Sequence, residues 1–560
     1  GKGRQHAILL IHGLILPETA LGRSPFSDMN GIIAQMYGSG PNSARQAREP
    51  SPYRRMMLDH DACYRAVCAR DARFDGAFFT GVKTTGIYCR PICPAPTPKQ
   101  KNVDFYPSAA AAQEAGFRPC LRCRPETAPE LAAWRGTSNS VSRALALIEE
   151  GGLDSANVGE FAERLGFGER QLRRLFRQHL GASPIAVAQT RRVHLAKQLI
   201  HETDLPMTEV ALAAGYCSLR RFNESFRQMF GRAPASLRRS GKVHAAVAGD
   251  VTLNLSYRPP YEWEAILAFL RKRAIPGIER LDETSYARTI AIDGAQGIVH
   301  VQKADGNALR VTIRFPRLVL LPQIIARLRR VFDLAADPQA IAAHLAEDAL
   351  LAPLIEKRPG LRVPGAWDGF ELAVRALLGQ QISVAAARTI AGRLVARFGT
   401  PLEIDRSGFD ELTHVFPHPS ALAGADLATL GLPRTRAAAL GALAADVAAN
   451  PAIFSPHASL DEAIARLRKL AGVGEWTAHY IAMRELREAD AFPAADLGLI
   501  RAVAKLTGET PTPKALLARA EGWRPWRAYA AQHLWAAEAA VPAAEPQVRK
   551  TSGAAVALAV

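Results

Sequence analysis

Along the chain, stretches whose apolar residues recur at every second position give way to stretches where they recur at every third or fourth, and these switches divide the sequence. Residues 1–52 follow neither period and mix Gly, Pro, Ser and Arg, which predicts a disordered leader, with structure beginning near Met57. From Phe74 to Tyr88 the pattern predicts a strand, a turn and a second strand that leaves Cys89 at its end. Val103-Asp104-Phe105-Tyr106 predicts another strand, and Ser108 is placed to cap an alanine-rich helix ending at Gly116. Pro125 and Pro129 open a linker to a helical region from about Ser140 to Arg239, in which Leu172, Leu175, Phe176, Phe222 and Phe226 sit at helical spacing and are expected in the core. A small-residue linker at 242–249 is followed by a strand at Thr252-Leu253-Asn254-Leu255 and a helix after Trp263. Alternation at 297–301 and 309–313 predicts an antiparallel sheet up to about Pro316. Beyond Leu321 the pattern is almost wholly helical, and from Val541 it reads as an unstructured tail.

Composition narrows the picture. A chain of 560 residues is too long for one core and predicts three or four domains. The balance of 70 Lys+Arg against 53 Asp+Glu, a net charge of +17, points to a polyanionic partner. Seven cysteines, an odd number and clustered, argue against a secreted disulfide scaffold and for a reducing compartment. The apolar run Ala7–Ile11 breaks at His12-Gly13 and is too short to span a bilayer, so the expected location is cytoplasmic, without membrane association.

The densest chemistry lies between Cys89 and Cys123. Cys89 and Cys93 form one close pair, Cys120 and Cys123 a second, and two such pairs can close a tetrahedron of thiolates around one Zn²⁺ ion. The bland alternative is four buried free cysteines. The run from Asp71 through Cys123, with Thr84-Thr85-Gly86-Ile87-Tyr88-Cys89-Arg90-Pro91 and Ala115-Gly116-Phe117-Arg118-Pro119-Cys120, resembles the N-terminal domain of the adaptive-response protein Ada. The resemblance implies that Cys89 accepts a methyl group from a methylphosphotriester in DNA, and that Cys93, Cys120 and Cys123 complete the metal site. Methylation would take a four-thiolate zinc site from a charge of −2 to −1 and lessen its repulsion by DNA phosphates. Lys83, Arg90, Arg118, Arg122 and Arg124 are candidate phosphate contacts.

The helical region that follows contains a repeat. Ala162-x3-Gly166 lies over Ala211-x3-Gly215, and Phe176-Arg177-Gln178-x2-Gly181 over Phe226-Arg227-Gln228-x2-Gly231. An alanine, a turn glycine and then a basic helix is the layout of a helix-turn-helix, so two recognition helices are expected, at Glu169–His179 and Ser218–Met229. The block resembles the AraC-type DNA-binding domain, down to Gly181-Ala182-Ser183-Pro184 and Gly231-Arg232-Ala233-Pro234 at the ends of its units. Base-reading candidates are Arg170, Gln171, Arg173 and Arg174 in the first unit and Arg220, Arg221 and Asn223 in the second. The competing reading is a solvated basic helix face.

Two features carry chemistry in the last part. Leu470-Ala471-Gly472-Val473-Gly474-Glu475-Trp476, after a capping box at Ser459-x2-Glu462, predicts a helix-hairpin-helix whose glycines let backbone N–H groups approach a phosphate. Phe492-Pro493-Ala494-Ala495-Asp496-Leu497-Gly498-Leu499 places a carboxylate at a probable helix start, where a plain N-cap is the alternative. With Gly379-Gln380-Gln381-Ile382-Ser383, Trp523-Arg524-Pro525-Trp526 and the Tyr257-Arg258-Pro259-Pro260-Tyr261 start, the stretch 251–538 resembles the AlkA-type 3-methyladenine DNA glycosylases. That resemblance makes Asp496 the catalytic carboxylate, Trp476, Tyr480, Trp535 and Phe269 the base-binding aromatics, and Gln381, Gly472 and Gly474 DNA contacts. Trp476 fills the slot where bifunctional relatives carry a lysine, which predicts a monofunctional enzyme. No cysteine follows Cys217 and the methylguanine-transferase motif is missing, so neither a thiolate-held iron–sulfur cluster nor repair of O6-methylguanine is expected.

The expected fold class is multidomain: a small α/β zinc domain at 57–128, an all-α double helix-turn-helix domain at 138–240, an α+β domain at 250–320 and an all-α helix-hairpin-helix core at 321–540, between the leader and the tail at 541–560. The expected function is a methyl-accepting transcriptional regulator joined to a 3-methyladenine-type DNA glycosylase, with double-stranded DNA and RNA polymerase as partners. The competing reading is a purely regulatory DNA-binding protein with an inactive glycosylase half. The intact Asp496 and aromatic set argue against it.

Overall fold

The computed structural model describes residues 59–129, 139–154, 156–238, 250–455 and 459–539, so the expected leader at 1–52, linker at 242–249 and tail from Val541 lie outside the described residues. The first body opens with α1 (His60–Ala69), capped by the Asp59 carboxylate. It continues through β1 (Phe79–Val82), β2 (Ile87–Cys89), β3 (Val103–Tyr106), α2 (Ala109–Glu114) and β4 (Arg118–Pro119). The Ser108 hydroxyl accepts from Ala111 N, the cap expected from the sequence. The sheet order is β3-β1-β2-β4, with β4 parallel to β2 and the other pairs antiparallel. That parallel pairing has a chemical consequence. Cys120 N donates to Tyr88 O at 3.0 Å, which lays the second cysteine pair beside the end of β2.

The next body is helical: α3 (Asn139–Glu149), α4 (Val158–Arg164), α5 (Glu169–Leu180), α6 (Pro184–Glu202), α7 (Met207–Ala213) and α8 (Leu219–Phe230). The turns before α5 and α8 use Gly166 and Gly215, both at positive φ, where an L side chain would be strained. Helix α6 joins the two helix-turn-helix units and also carries the zinc domain. Lys197, fully buried on α6, donates to Glu126 Oε2 at 2.8 Å and to Cys120 O at 3.2 Å. The Glu126 carboxyl, whose burial alone would raise it, is held far below the usual range by His201, Lys197 and Arg124. Gln113 donates to Tyr88 OH, which also pairs with His194 Nε2 at 2.8 Å, and Arg124 donates to Glu202.

The last part begins with β5 (Asp250–Ser256), α9 (Trp263–Arg273), β6 (Glu279–Leu281), β7 (Ser285–Ile292), β8 (Ala295–Ala304) and β9 (Ala308–Arg314). These strands form an antiparallel five-stranded sheet in the order β5-β9-β8-β7-β6. Helices follow: α10 (Leu321–Val331), α11 (Pro338–Leu345), α12 (Ala352–Lys357), α13 (Gly369–Leu378) and α14 (Val384–Phe398). A two-residue ladder, β10 (Thr400–Pro401) with β11 (His414–Val415), interrupts the helical run expected beyond Leu321. It forms because the loop folds back onto the sheet, where Thr289 Oγ1 donates to His414 O. Then come α15 (Pro419–Leu422), α16 (Arg434–Ala449), α17 (Leu460–Leu467), α18 (Glu475–Arg484), α19 (Leu497–Thr507), α20 (Pro513–Ala520) and α21 (Arg527–Ala539).

Packing ignores the seam at 242–249. The first helix-turn-helix unit has its own core, built from Val141, Phe161, Leu172 and Phe176. The second shares one buried cluster with the sheet, running from Leu199, Phe222 and Phe226 through Val251, Leu253 and Trp263 to Ile324 and Phe332. Further ties cross the parts. Arg143 on α3 meets Glu488 at 2.6 Å with both side chains buried. Arg258 donates to the Asp75 carbonyl at 2.8 Å and to Asp337 at 2.6 Å. No helix among the described residues is long and apolar enough to cross a membrane.

Candidate functional site

Two sites emerge, one at each end of the described chain. At the first, the Sγ atoms of Cys89, Cys93, Cys120 and Cys123 all lie within 4.8 Å of one another. A tetrahedron of thiolates around zinc has edges of about 3.8 Å, set by a metal–sulfur distance of ~2.3 Å, so four sulfurs at this spacing fit one Zn²⁺ ion. Buried free cysteines would have no reason to converge in this way.

The four sulfurs are not equivalent. Arg90 N donates to Cys123 Sγ at 3.3 Å and Arg122 N to Cys120 Sγ at 3.4 Å. Ala95 supplies a main-chain donor to Cys93. Cys89 accepts no main-chain N–H among the described residues. It is half-buried on a groove of about 400 Å³ that Cys93, Arg118, Arg122, Pro98 and Ile87 also line.

Of the cations proposed from sequence to meet phosphates, two are otherwise engaged. Arg90 is buried against Asp75, Cys123 O and Thr127, and Arg124 pairs with Glu126 and Glu202. Both act as struts of the fold because Asp75 and Glu126 are buried, Glu202 is half-buried, and each needs a cation. Lys83 makes an exposed pair with Asp104, while Arg118 and Arg122 face the groove.

On the helix-turn-helix body, α5 and α8 turn Leu172, Phe176, Phe222 and Phe226 inward and leave Arg170, Gln171, Arg174, Arg220 and Arg221 exposed. Arg173 is exposed and pairs with Glu169 one turn back, and Asn223 is half-buried. Leu175, expected in the core, is half-buried against it.

The second site is a cavity of about 1090 Å³ lined by residues of α9, α13, α14, α18 and α21. Asp496 caps α19 by accepting from Leu499 N at 3.0 Å, so the plain N-cap alternative is part of its geometry. The same carboxylate also accepts the indole N–H of Trp476 on Oδ2 and of Trp535 on Oδ1, both at 2.8 Å, and it lines the cavity. Gly498 permits this approach, since a Cβ there would lie 2.9 Å from Asp496 Oδ1 and 3.3 Å from the Trp535 ring. Trp476 stacks on Tyr480 with centroids 5.2 Å apart and planes 9° from parallel, and Trp535 meets Tyr480 edge-on.

Arg484 donates to the Tyr480 hydroxyl at 2.6 Å. Burial alone would raise this phenol, but Arg484 and Arg273 outweigh it and hold it below its ordinary value. Phe269 also lines the cavity, but its ring carries the guanidinium of Arg273 at 3.8 Å and that of Arg484 at 4.9 Å. It therefore supports the cations that polarise Tyr480.

Sequence reasoning missed Arg273, Arg484 and Gln532 on the cavity wall. Two signals were available. Trp476, Tyr480 and Arg484 recur every four residues on α18, and Gln532 precedes Trp535 by three on α21, so each set shares a helix face.

Around this pocket, Gly472 at positive φ turns the chain between α17 and α18, and Gly474 caps α18 with open space where a Cβ would lie. Gln380 donates to Gly472 O at 2.9 Å and so joins the hairpin to the loop between α13 and α14. The next residue, Gln381, is exposed in the left-handed region with φ 60°.

Comparison with known families places these sites in a familiar order. The metal binding domain of Ada matches residues 62–126 and a helix-turn-helix domain matches 161–240. The AlkA N-terminal domain matches 252–368, and the HhH-GPD superfamily of base excision DNA repair proteins matches 374–528. DNA-3-methyladenine glycosylase 2 of Escherichia coli is 33% identical over 288 residues, 51% of this chain and 96% of that protein. The bifunctional transcriptional activator/DNA repair enzyme AdaA of Bacillus subtilis is 27% identical over 216 residues, 38% of this chain and 99% of that protein. A probable bifunctional transcriptional activator/DNA repair enzyme AlkA of Mycobacterium tuberculosis is 43% identical over 484 residues, covering 86% of this chain and 97% of that protein. At that identity and over nearly the whole length of that relative, with the four family matches in this order along the chain, the chain belongs to the family of AlkA-type bifunctional transcriptional activator/DNA repair enzymes.

Proposed function

We propose that this protein performs two reactions on alkylated DNA: hydrolytic release of alkylated purines at the Asp496 pocket, and transfer of one methyl group from a backbone methylphosphotriester to Cys89. The observation that carries the first is the Asp496 carboxylate pinned by two indole N–H groups on the wall of an aromatic cavity. A flipped N-alkylated purine is cationic and already a good leaving group, so no strong general acid is required. Trp476, Tyr480 and Trp535 offer electron-rich faces to that cation, each worth ~1–2 kcal/mol. As the glycosidic bond breaks, the sugar gains oxocarbenium character, which the Asp496 anion steadies while it orients the attacking water. With Trp476 where a Schiff-base lysine would have to stand, the reaction ends at an abasic site without strand cleavage.

The second reaction is favoured by the distribution of hydrogen bonds at the cysteine cluster. Zinc, when bound, keeps the four sulfurs deprotonated and fixes their geometry. A main-chain N–H draws electron density from the sulfur that accepts it, and Cys89 is the sulfur without one among the described residues. Cys89 Sγ attacks the methyl carbon, the S–C bond forms as the C–O bond to the phosphotriester breaks, and the electron pair stays on the phosphate oxygen. Loss of one negative charge from the site tightens its hold on DNA. The exposed arginines of α5 and α8 then read a promoter, with RNA polymerase as the partner of the bound activator.

Base release from methylated DNA tests the catalytic assignment. Asp496→Asn is expected to lower release of 3-methyladenine about 10³-fold while DNA binding stays nearly intact, and a variant with full activity would overturn it.

A further inference from the structure

Among the deeply buried polar side chains on the wall of the Asp496 cavity, Gln532 stands apart. Arg288 and Glu371 pair with each other, Arg484 donates to Tyr480, Pro364 and Gly365, and the Tyr286 hydroxyl donates to Glu279. Gln532 is only 7% exposed and lines the cavity, yet among the described residues its amide has no hydrogen-bond partner. A deeply buried amide that faces a cavity without a protein partner is normally met by water or by a ligand. Its site on α21 is one turn from Trp535, whose indole holds Asp496, so an aromatic base resting against Trp535 comes within reach of the Gln532 amide.

A glutamine amide presents one donor and one acceptor side by side. Adenine offers the complement along one edge, an N6–H donor beside the N7 acceptor, and glutamine takes both in a bidentate pair. Methylation at N3 leaves that edge intact. Methylation of guanine at N7 removes the acceptor and leaves only O6 there, so the pair cannot form.

We propose that Gln532 is a specificity-determining residue that reads the N6–H/N7 edge of the flipped base and so favours 3-alkyladenines over 7-alkylguanines. The inference rests on the glycosylase reading of the same pocket and adds to it the class of base preferred. The amide contributes nothing to the leaving-group chemistry, so its loss changes the ratio of rates between two bases rather than all rates together.

The test uses the full chain and two DNA duplexes, one carrying 3-methyladenine and the other 7-methylguanine, with kcat/KM for base release measured on each. Gln532→Met keeps length and removes both polar atoms. It is expected to lower kcat/KM for 3-methyladenine about tenfold, the lower part of the range for one bidentate contact, and to change 7-methylguanine by less than about threefold. Gln532→Glu, which keeps an acceptor for N6–H and loses the donor to N7, is expected to fall between wild type and Gln532→Met on 3-methyladenine. Equal losses on both bases, as misfolding or loosened packing would produce, overturn the inference, as does an unchanged ratio. If the wild-type chain releases neither base, the glycosylase reading falls and this inference with it; if it releases both and the ratio ignores residue 532, only the inference falls.

Discussion

In the function proposed above, the cysteine cluster and the aspartate pocket both meet alkyl groups on DNA, and they treat their reactive atoms in opposite ways. At the cluster, main-chain donors go to Cys93, Cys120 and Cys123, and Cys89 is left without one. At the pocket the reactive group collects donors: Trp476, Trp535 and Leu499 all give an N–H to Asp496. A sulfur that must form a bond keeps its electron density, whereas a carboxylate that must persist as an anion has its lone pairs held in place. The number of hydrogen bonds to a reactive atom thus separates a nucleophile that is consumed from an electrostatic support that is reused.

The sharpest way to break this contrast is to remove each atom in turn and follow both reactions. Cys89→Ala is expected to abolish uptake of labelled methyl from methylphosphotriester DNA and to leave base release within about twofold of wild type; methyl uptake by the variant would move the acceptor role to another sulfur. Asp496→Asn, the reciprocal change, should lower base release about 10³-fold, the scale seen when a main electrostatic contact to a transition state is lost, with methyl uptake unaffected. Loss of both activities in either variant would show that the sites are not chemically separate.

Stability sharpens the comparison further. The cysteine cluster rests on α6 through the fully buried Lys197–Glu126 pair. Lys197→Met strands the carboxylate in the interior and is expected to cost about 3 kcal/mol, the low end for breaking a buried pair. Chemical denaturation measures the loss, and an unchanged midpoint would mean that Arg124 and His201 suffice.

The pocket side relies on a neutral group instead. Burial pushes His533 on α21 down to about 4, so the folded chain holds it unprotonated. Above pH 6.5 neither folded nor unfolded chain protonates it, and its contribution is complete. Below that the unfolded chain binds a proton first, so stability falls until the folded-state value near 4 is reached. The Glu126 contribution, present above the ordinary carboxylate range, is lost only at still lower pH. Glu485, whose burial raises its carboxyl to about 7, acts in the opposite sense over the same range, so the His533 contribution is read as a difference: relative to His533→Gln, wild-type Tm is expected to fall by a few degrees between pH 6.5 and 4. A difference between the two that stayed constant across that range would take His533 out of the acid response.

Much of this was legible in the residues. The spacing of the four cysteines led to their convergence, Ser108 and Ser459 capped the helices expected of them, and the repeat about Gly166 and Gly215 marked two matching turns. Asp496 with Trp476, Tyr480 and Trp535 came together as a set because family resemblance supplied long-range proximity that no local period contains. What stayed hidden depends on the partner across a contact. Arg90 and Arg124 look like any other surface cation in sequence, and only the buried Asp75 and Glu126 and the half-buried Glu202 reveal them as struts. Phe269 lines the cavity as expected, but nothing in the sequence announces the two guanidiniums that rest on its ring. The union of the second helix-turn-helix unit with the sheet was equally silent, because an inward Phe222 looks the same whichever core receives it.

That union bears on the life of the molecule in a damaged cell. A chain whose second helix-turn-helix unit and sheet share a buried cluster cannot open one face of it without exposing the other. In the proposed function methylation of Cys89 is spent once, while the Asp496 pocket turns over. Each activated molecule therefore remains a working repair enzyme for as long as it remains an activator. The signal and the remedy decay with a single half-life, and the response ends only when growth and proteolysis have diluted both together.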